Sequence, residues 1–85
     1  MKLRVFVQPG CPRCPLAKEA ARRVARELGL GYEEVDVSTP DGQIEALMAN
    51  VCSTPSIALG DEVLFRGEAP SPEELAKAVE EALRA

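Results

Sequence analysis

Two cysteines separated by two residues, in Cys11-Pro12-Arg13-Cys14, are the residues of this chain best suited to chemistry. The spacing lets both sulfur atoms meet across one helical turn and close a small disulfide ring. The motif lies at the start of a predicted helix, so the unpaired N–H groups of Arg13 and Cys14 and the helix dipole favour a thiolate at Cys11. Arg13 adds a positive charge, and Pro12 removes a competing donor and stiffens the turn. We therefore predict that Cys11 is the nucleophile and that Cys14 resolves the mixed disulfide.

This pair of thiols also admits two other hypotheses. Small copper chaperones place a C-x-x-C motif between a first strand and a first helix, and an iron–sulfur cluster held across a dimer is a further alternative. The chain contains no histidine, which excludes His-based catalytic triads and His-ligated metals. A C-x-x-C motif that opens a helix after a strand favours thiol–disulfide chemistry, and no metal site is predicted.

Three further side chains have interpretations of their own. Cys52 is predicted to be a small buried apolar residue, as free cysteines often are. The alternative hypotheses are an auxiliary thiol that can pair with Cys11 or be oxidised or modified, and a metal-binding role without redox chemistry. Glu33 and Glu34 are predicted to be an exposed pair without an acid–base partner, so hydrolysis by paired carboxylates is not expected.

The composition describes a small acidic globular chain. Its 85 residues predict one domain spanning residues 1–85. The formal net charge of −4 gives it no electrostatic basis for holding nucleic acid. The apolar stretch at the N-terminus is short and interrupted by Arg4, and no run approaches the roughly 20 apolar residues that span a bilayer. We therefore expect a cytoplasmic protein with no nucleic-acid partner, no membrane partner and no cofactor.

Hydrophobic periodicity divides the chain into seven elements in the order β-α-β-α-β-β-α. Strands are predicted at residues 2–7, 32–37, 56–59 and 63–65, and helices at residues 12–28, at residues 40–51 and from residue 72 onward. The first βαβ unit should be parallel with a right-handed crossover. The last two strands should pair as a hairpin. The predicted fold class is α/β, with helices covering the faces of a mixed sheet.

Prolines, a glycine and hydroxyl side chains mark the predicted helix ends. Pro12 suits the first position of the first helix, and Gly29 suits its C-terminal end. Thr39 and Ser71 are the expected N-caps of the second and third helices. Pro15 removes an N–H early in the first helix and is expected to loosen its start.

Each predicted helix has one apolar face that is expected to lie in the core. The faces consist of Leu16, Ala17, Ala20, Ala21, Val24, Ala25 and Leu28 in the first helix, Ile44, Leu47, Met48 and Val51 in the second, and Leu75, Ala76, Val79, Ala82 and Leu83 in the third.

The C-x-x-C motif at a helix start, Thr54-Pro55 before the third strand and the order of elements resemble the thioredoxin superfamily over nearly the whole chain. The length and Pro12 are most similar to small glutaredoxin-like thioredoxins. The resemblance implies a four-stranded mixed sheet of order 2-1-3-4 flanked by three helices, and a thiol–disulfide oxidoreductase acting as an electron donor or protein-disulfide reductase. It also implies that Pro55 is cis and lies against the Cys11–Cys14 pair, whereas the general preference of X–Pro bonds predicts trans. Thr54 would offer its backbone N–H and C=O to an extended substrate.

The chain departs from the family pattern at two places. Typical thioredoxins carry a buried Asp before the motif and a Trp ahead of the first cysteine, and this chain has Val5, Val7 and Gln8 there. Glutaredoxins usually hold glutathione with a paired-glycine turn that contains Asp, and this chain has residues 66–70 of sequence RGEAP instead. The expected partners are therefore a disulfide-containing protein or small molecule as substrate and an electron donor resembling thioredoxin reductase, rather than glutathione.

Overall fold

A computed structural model describes the whole chain, residues 1–85, as four strands and three helices. The predicted order β-α-β-α-β-β-α is confirmed. The elements are β1 Lys2–Val7, α1 Cys14–Leu28, β2 Gly31–Asp36, α2 Pro40–Met48, β3 Ser56–Leu59, β4 Glu62–Arg66 and α3 Pro72–Arg84. None of the three helices combines the length and the apolar content that crossing a membrane requires.

The strands form one mixed sheet of order β2-β1-β3-β4, as the resemblance implied. β1 is central, parallel to β2 and antiparallel to β3, and β3 is antiparallel to β4. Because β3 runs against β1, its first residue Ser56 pairs with Phe6 near the end of β1. The loop that leaves β1 and the loop that enters β3 therefore lie at the same edge of the sheet, although residues 8–55 separate the two strands in sequence.

The helices cover the two faces of the sheet unequally. On one face, α1 and α3 bury a large cluster that includes Leu3, Val5, Ile57, Leu75 and Val79. On the other face, α2 covers a smaller cluster, which consists of Phe6, Val35, Ala46, Val51 and Ala58.

Three of the four residues in the predicted apolar stripe of α2 lie outside the core, so that prediction is wrong for them and is confirmed only for Val51. Ile44, Leu47 and Met48 are 57%, 78% and 84% exposed. The helix instead turns its small residues, Gly42 and Ala46, toward the sheet. A side chain at Gly42 would overlap the backbone carbonyl of the residue at the end of β2, so α2 lies too close to β2 to bury large side chains there.

Two other predicted core residues are exposed as well. Leu16 on α1 and Leu83 on α3 face solvent. The predicted starts of α2 and α3 and the predicted end of α1 are confirmed, whereas α2 ends at Met48 rather than at residue 51. Thr39 caps α2 by accepting a hydrogen bond from the Gly42 N–H, and Ser71 forms a capping box at α3. Gly29 ends α1 in the left-handed conformation.

Candidate redox site

Cys11 and Cys14 form a disulfide at the carboxyl edge of β1. Their Cα atoms are 5.4 Å apart, within the usual range for a disulfide. Cys14 is the first residue of α1 and only 4% exposed, whereas Cys11 lies in the preceding loop and is half-buried. Cys11 is therefore the sulfur of the pair that is more open to a partner.

The start of α1 differs from the sequence prediction. The helix begins at Cys14 rather than Pro12, with Arg13 as the exposed N-cap residue and Pro12 in the turn before it. Pro15 therefore occupies the second helical position, where a backbone N–H has no acceptor within the helix. Its missing N–H costs no helical hydrogen bond, and the expected loosening of the helix start has no basis.

Three backbone amides remain free at this helix start. The N–H groups of Arg13, Cys14 and Leu16 donate to no backbone carbonyl, since the first such bond is from Ala17 to the Arg13 carbonyl. No side chain caps α1 and its first turn contains no acidic residue, in contrast to the capped and acidic first turns of α2 and α3. The partial positive charge of this terminus is thus left uncompensated beside the disulfide, which favours a thiolate in the reduced protein.

Thr54 and Pro55 lie at the same sheet edge, directly before β3. The Thr54–Pro55 peptide bond is cis, as the resemblance implied and contrary to the general preference for trans. Pro55 is buried and Thr54 is half-buried. Thr54 lines a groove of about 460 Å³ between α2 and the loop before β3. The groove is lined entirely by uncharged residues: Gln8, Val37, Gln43, Ala46, Leu47, Val51, Cys52, Ser53 and Thr54.

Cys52 is a free, exposed thiol in this groove, so the prediction that it is a buried filler is wrong. Asn50 adopts a positive φ of 61° after α2 and turns the chain. Val51, only 8% exposed, is then the residue of this segment that is buried in the core. Cys52, as the next residue, points outward.

A second cleft of about 460 Å³, which has charged residues in its lining, borders the disulfide. Its lining includes Cys11, Cys14, Lys18, Glu34 and Asp36. Gln8 lines both this cleft and the uncharged groove, so the two spaces meet at the loop after β1.

Glu34 is exposed, as predicted, and its carboxylate has hydrogen-bonding and ionic partners that the sequence did not indicate. Its carboxylate accepts hydrogen bonds from Arg22 at 2.7 Å and from the Tyr32 hydroxyl at 2.8 Å, and the ammonium of Lys18 lies 3.8 Å away. Parallel pairing places Glu34 opposite Val5, on the face that α1 covers. The four-residue spacing of Cys14, Lys18 and Arg22 on one helix face was a signal for this cluster, but the register of β2 was needed to place Glu34 beneath it.

The contacts of this cluster change the acidity of two side chains. Burial and the hydrogen bond to Glu34 raise the pKa of Tyr32 well above its ordinary value. Partial burial alone would raise the pKa of Glu34, but the hydrogen bond from Tyr32 and the charges of Lys18 and Arg22 outweigh it and lower that pKa. Glu34 is therefore ionised at neutral pH and Tyr32 is neutral.

A disulfide at the start of the first helix, a cis-proline before an antiparallel strand and a β2-β1-β3-β4 sheet together define a thioredoxin-like protein. A family model described as a thioredoxin domain matches residues 1–80, and the chain belongs to that family. A thioredoxin of Methanocaldococcus jannaschii is 30% identical over 83 residues, covering 98% of this chain and 96% of the relative. A probable thioredoxin of Methanothermobacter thermautotrophicus is 34% identical, covering 93% of this chain and 92% of the relative.

Solved structures show the same fold. Thioredoxin 1 of Thermosipho africanus superposes with a TM-score of 0.77 over 99% of this chain and 96% of that one, at 18% identity. The thioredoxin-like protein BC3987 superposes with a TM-score of 0.61 at 28% identity, covering 91% of this chain and 99% of that chain. The fold expected from the sequence is thereby confirmed.

Proposed function

We propose that residues 1–85 act as one thioredoxin domain that reduces disulfides by cycling Cys11 and Cys14 between dithiol and disulfide. Membership of the thioredoxin family supports thiol–disulfide oxidoreductase chemistry. The observation that carries the proposal is the Cys11–Cys14 disulfide at the uncapped start of α1, beside three free backbone amides. Arg13 adds a positive charge there, and Pro12 stiffens the turn between the two cysteines.

The reaction transfers two electrons in two exchange steps. The Cys11 thiolate attacks one sulfur of a substrate disulfide, which forms a mixed disulfide and expels the other substrate sulfur as a thiolate. The Cys14 sulfur, after losing its proton to solvent, then attacks the Cys11 sulfur. This step closes the Cys11–Cys14 disulfide and releases the second substrate thiolate. The substrate is reduced and the protein is left oxidised.

The surroundings of the site support a polypeptide substrate. Thr54, next to Pro55, can offer its backbone groups to an extended segment, in the manner of strand addition. The adjoining groove has an uncharged lining that includes Leu47, which suits apolar side chains near the substrate disulfide. A small-molecule disulfide is the alternative substrate, and neither is expected to involve a metal or cofactor bound by this chain.

Reduction of the Cys11–Cys14 disulfide after each turnover needs a separate electron donor. We propose a flavin-dependent donor resembling thioredoxin reductase, because the segment after β4 lacks the paired-glycine turn with which glutaredoxins hold glutathione. A cytoplasmic location is part of the proposal, since a reducing compartment keeps such a cysteine pair in the dithiol form.

Reduction of insulin disulfides, with dithiothreitol or a thioredoxin reductase as donor, tests this function. The unmodified protein should accelerate the reduction, and Cys11→Ser should abolish the acceleration because the attacking thiolate is gone. Acceleration that survives in Cys11→Ser would contradict the assignment. Tight Cu(I) binding and transfer without disulfide turnover would favour the copper-carrier alternative instead.

A further inference from the structure

A buried serine ties together two loops at the redox edge of the sheet. Ser56, the first residue of β3, is completely buried. Its hydroxyl donates a hydrogen bond to the Ser53 carbonyl at 2.7 Å. The same hydroxyl accepts a hydrogen bond from the Gly67 N–H at 3.3 Å. One side chain therefore satisfies a backbone acceptor in the loop before β3 and a backbone donor in the loop after β4.

The loop before β3 is held against the end of β4 at two further points. Gly67 has a φ of +70°, and a Cβ there would lie 3.1 Å from the Ser53 hydroxyl oxygen, so the two loops pack closely. The Arg66 guanidinium donates to the Asn50 carbonyl at 2.6 Å. The tie through Ser56 is more shielded than the exposed Arg66–Asn50 hydrogen bond, because the Ser56 side chain is completely buried, and an unpaired polar group there is costly.

The position of this tie connects it to substrate binding. Thr54 and Pro55 are the two residues between Ser53 and Ser56, so the Ser56–Ser53 hydrogen bond closes a short turn around them. We propose that Ser56 is a positioning residue that fixes this turn and thereby presents the backbone of Thr54 to a substrate strand. The inference rests on the proposed function, because it assumes that substrate pairs with Thr54.

Ser56 has no direct part in the sulfur chemistry under this proposal. Its hydroxyl hydrogen bonds are to Ser53 and Gly67, not to either cysteine of the disulfide. Removing the hydroxyl should therefore weaken binding of a polypeptide disulfide but leave exchange with a small disulfide intact. A role in general stability would lower both rates together.

The test compares Ser56→Ala with Ser56→Thr, which keeps the hydroxyl, and with Ser71→Ala. The last variant loses a hydroxyl that caps α3 by bonding to the Glu74 N–H and that takes no part in the Ser56 hydrogen bonds, so it controls for loss of stability. For Ser56→Ala we expect the KM for insulin to rise about fivefold or more, with kcat held within about twofold. The rate with bis(hydroxyethyl) disulfide and the reduction potential should be unchanged, and Ser56→Thr should restore the KM.

Other results would contradict either the positioning role of Ser56 or the proposed function, and the two are distinguishable. An unchanged KM in Ser56→Ala, or an equal rise in Ser71→Ala, would overturn the positioning role. Absence of insulin reduction by the unmodified protein would overturn the proposed function itself. If Ser56→Ala does not fold, hydrogen exchange of the Gly67 amide in the unmodified protein tests whether the hydrogen bond from Gly67 to Ser56 is present. Exchange as slow as in the β3 ladder supports the tie, and exchange at the rate of an exposed amide overturns it.

Discussion

The free amides at the start of α1 can be tested by placing a carboxylate beside them. Leu16 is 61% exposed and is the third residue of α1, so a longer polar side chain fits without disturbing the core. The third position of α3 shows what a carboxylate does at such a place. Glu74, the third residue of α3, accepts a hydrogen bond from the N–H of the N-cap residue Ser71 at 3.0 Å. A glutamate at position 16 would stand at the same helical position, beside the free backbone amides of α1.

Such a carboxylate would compete with the Cys11 thiolate for the positive helix terminus. A charge at a helix terminus changes the free energy by about 0.3–1 kcal/mol. Since one pKa unit corresponds to about 1.36 kcal/mol, the pKa of the Cys11 thiol should rise by about 0.2–0.7 units. The rise should shrink at high salt, because the interaction is exposed to solvent.

Thiolate absorbance or alkylation rate, followed against pH in the reduced protein, measures this change. Leu16→Gln is the matched control, since it has the same length without the charge, and the difference between the variants isolates the carboxylate. A Cys11 pKa in Leu16→Glu that equals or falls below that of Leu16→Gln would refute the idea that this helix terminus stabilises the thiolate.

Three further predictions concern stability. Ser71→Ala should lower the free energy of unfolding in urea by about 1 kcal/mol through loss of the α3 capping box, and an unchanged midpoint would contradict this. Gly42→Ala should destabilise the protein despite the roughly 1 kcal/mol helix preference for alanine, because its Cβ would overlap the Asp36 carbonyl; a higher melting temperature would show that α2 can move away. The raised pKa of Tyr32 stabilises the folded state fully below pH about 10, and this contribution is lost as pH rises further, because the unfolded chain then ionises first. The stability advantage of the unmodified protein over Tyr32→Phe should therefore shrink above that pH, and a constant difference would contradict the role of Glu34 as an acceptor.

The order of elements and the cysteine pair were predictable because each rests on local sequence. No knowledge of distant contacts is needed to recognise the periodicity of strands and helices. The same holds for the Thr39 and Ser71 caps and for the spacing of Cys11 and Cys14. These features decide the fold class and place the disulfide between β1 and α1.

The errors arose where tertiary packing chooses between two local possibilities. α2 has an apolar stripe with Leu47 and a face of small residues with Gly42, and only the close approach to β2 decides that the small face is buried. Val51 and Cys52 are adjacent apolar residues, and the turn at Asn50 decides which one enters the core.

Two contacts at the site depend on strand pairing that local sequence does not encode. Glu34 gains its partners through the register of β2 against β1. Ser56 meets Gly67 because β3 pairs with β4. Arg22 is 12 residues from Glu34 along the chain and Gly67 is 11 from Ser56, so local sequence does not pair either of them.

Trapping of the mixed disulfide is the most direct measurement of the central claim. Cys14→Ser removes the resolving sulfur, so a substrate protein with an accessible disulfide should accumulate as an adduct. Peptide mapping by mass spectrometry should place that adduct on Cys11, the half-buried sulfur before α1. An adduct on Cys52 alone, or no adduct while the unmodified protein still reduces the substrate, would contradict the account.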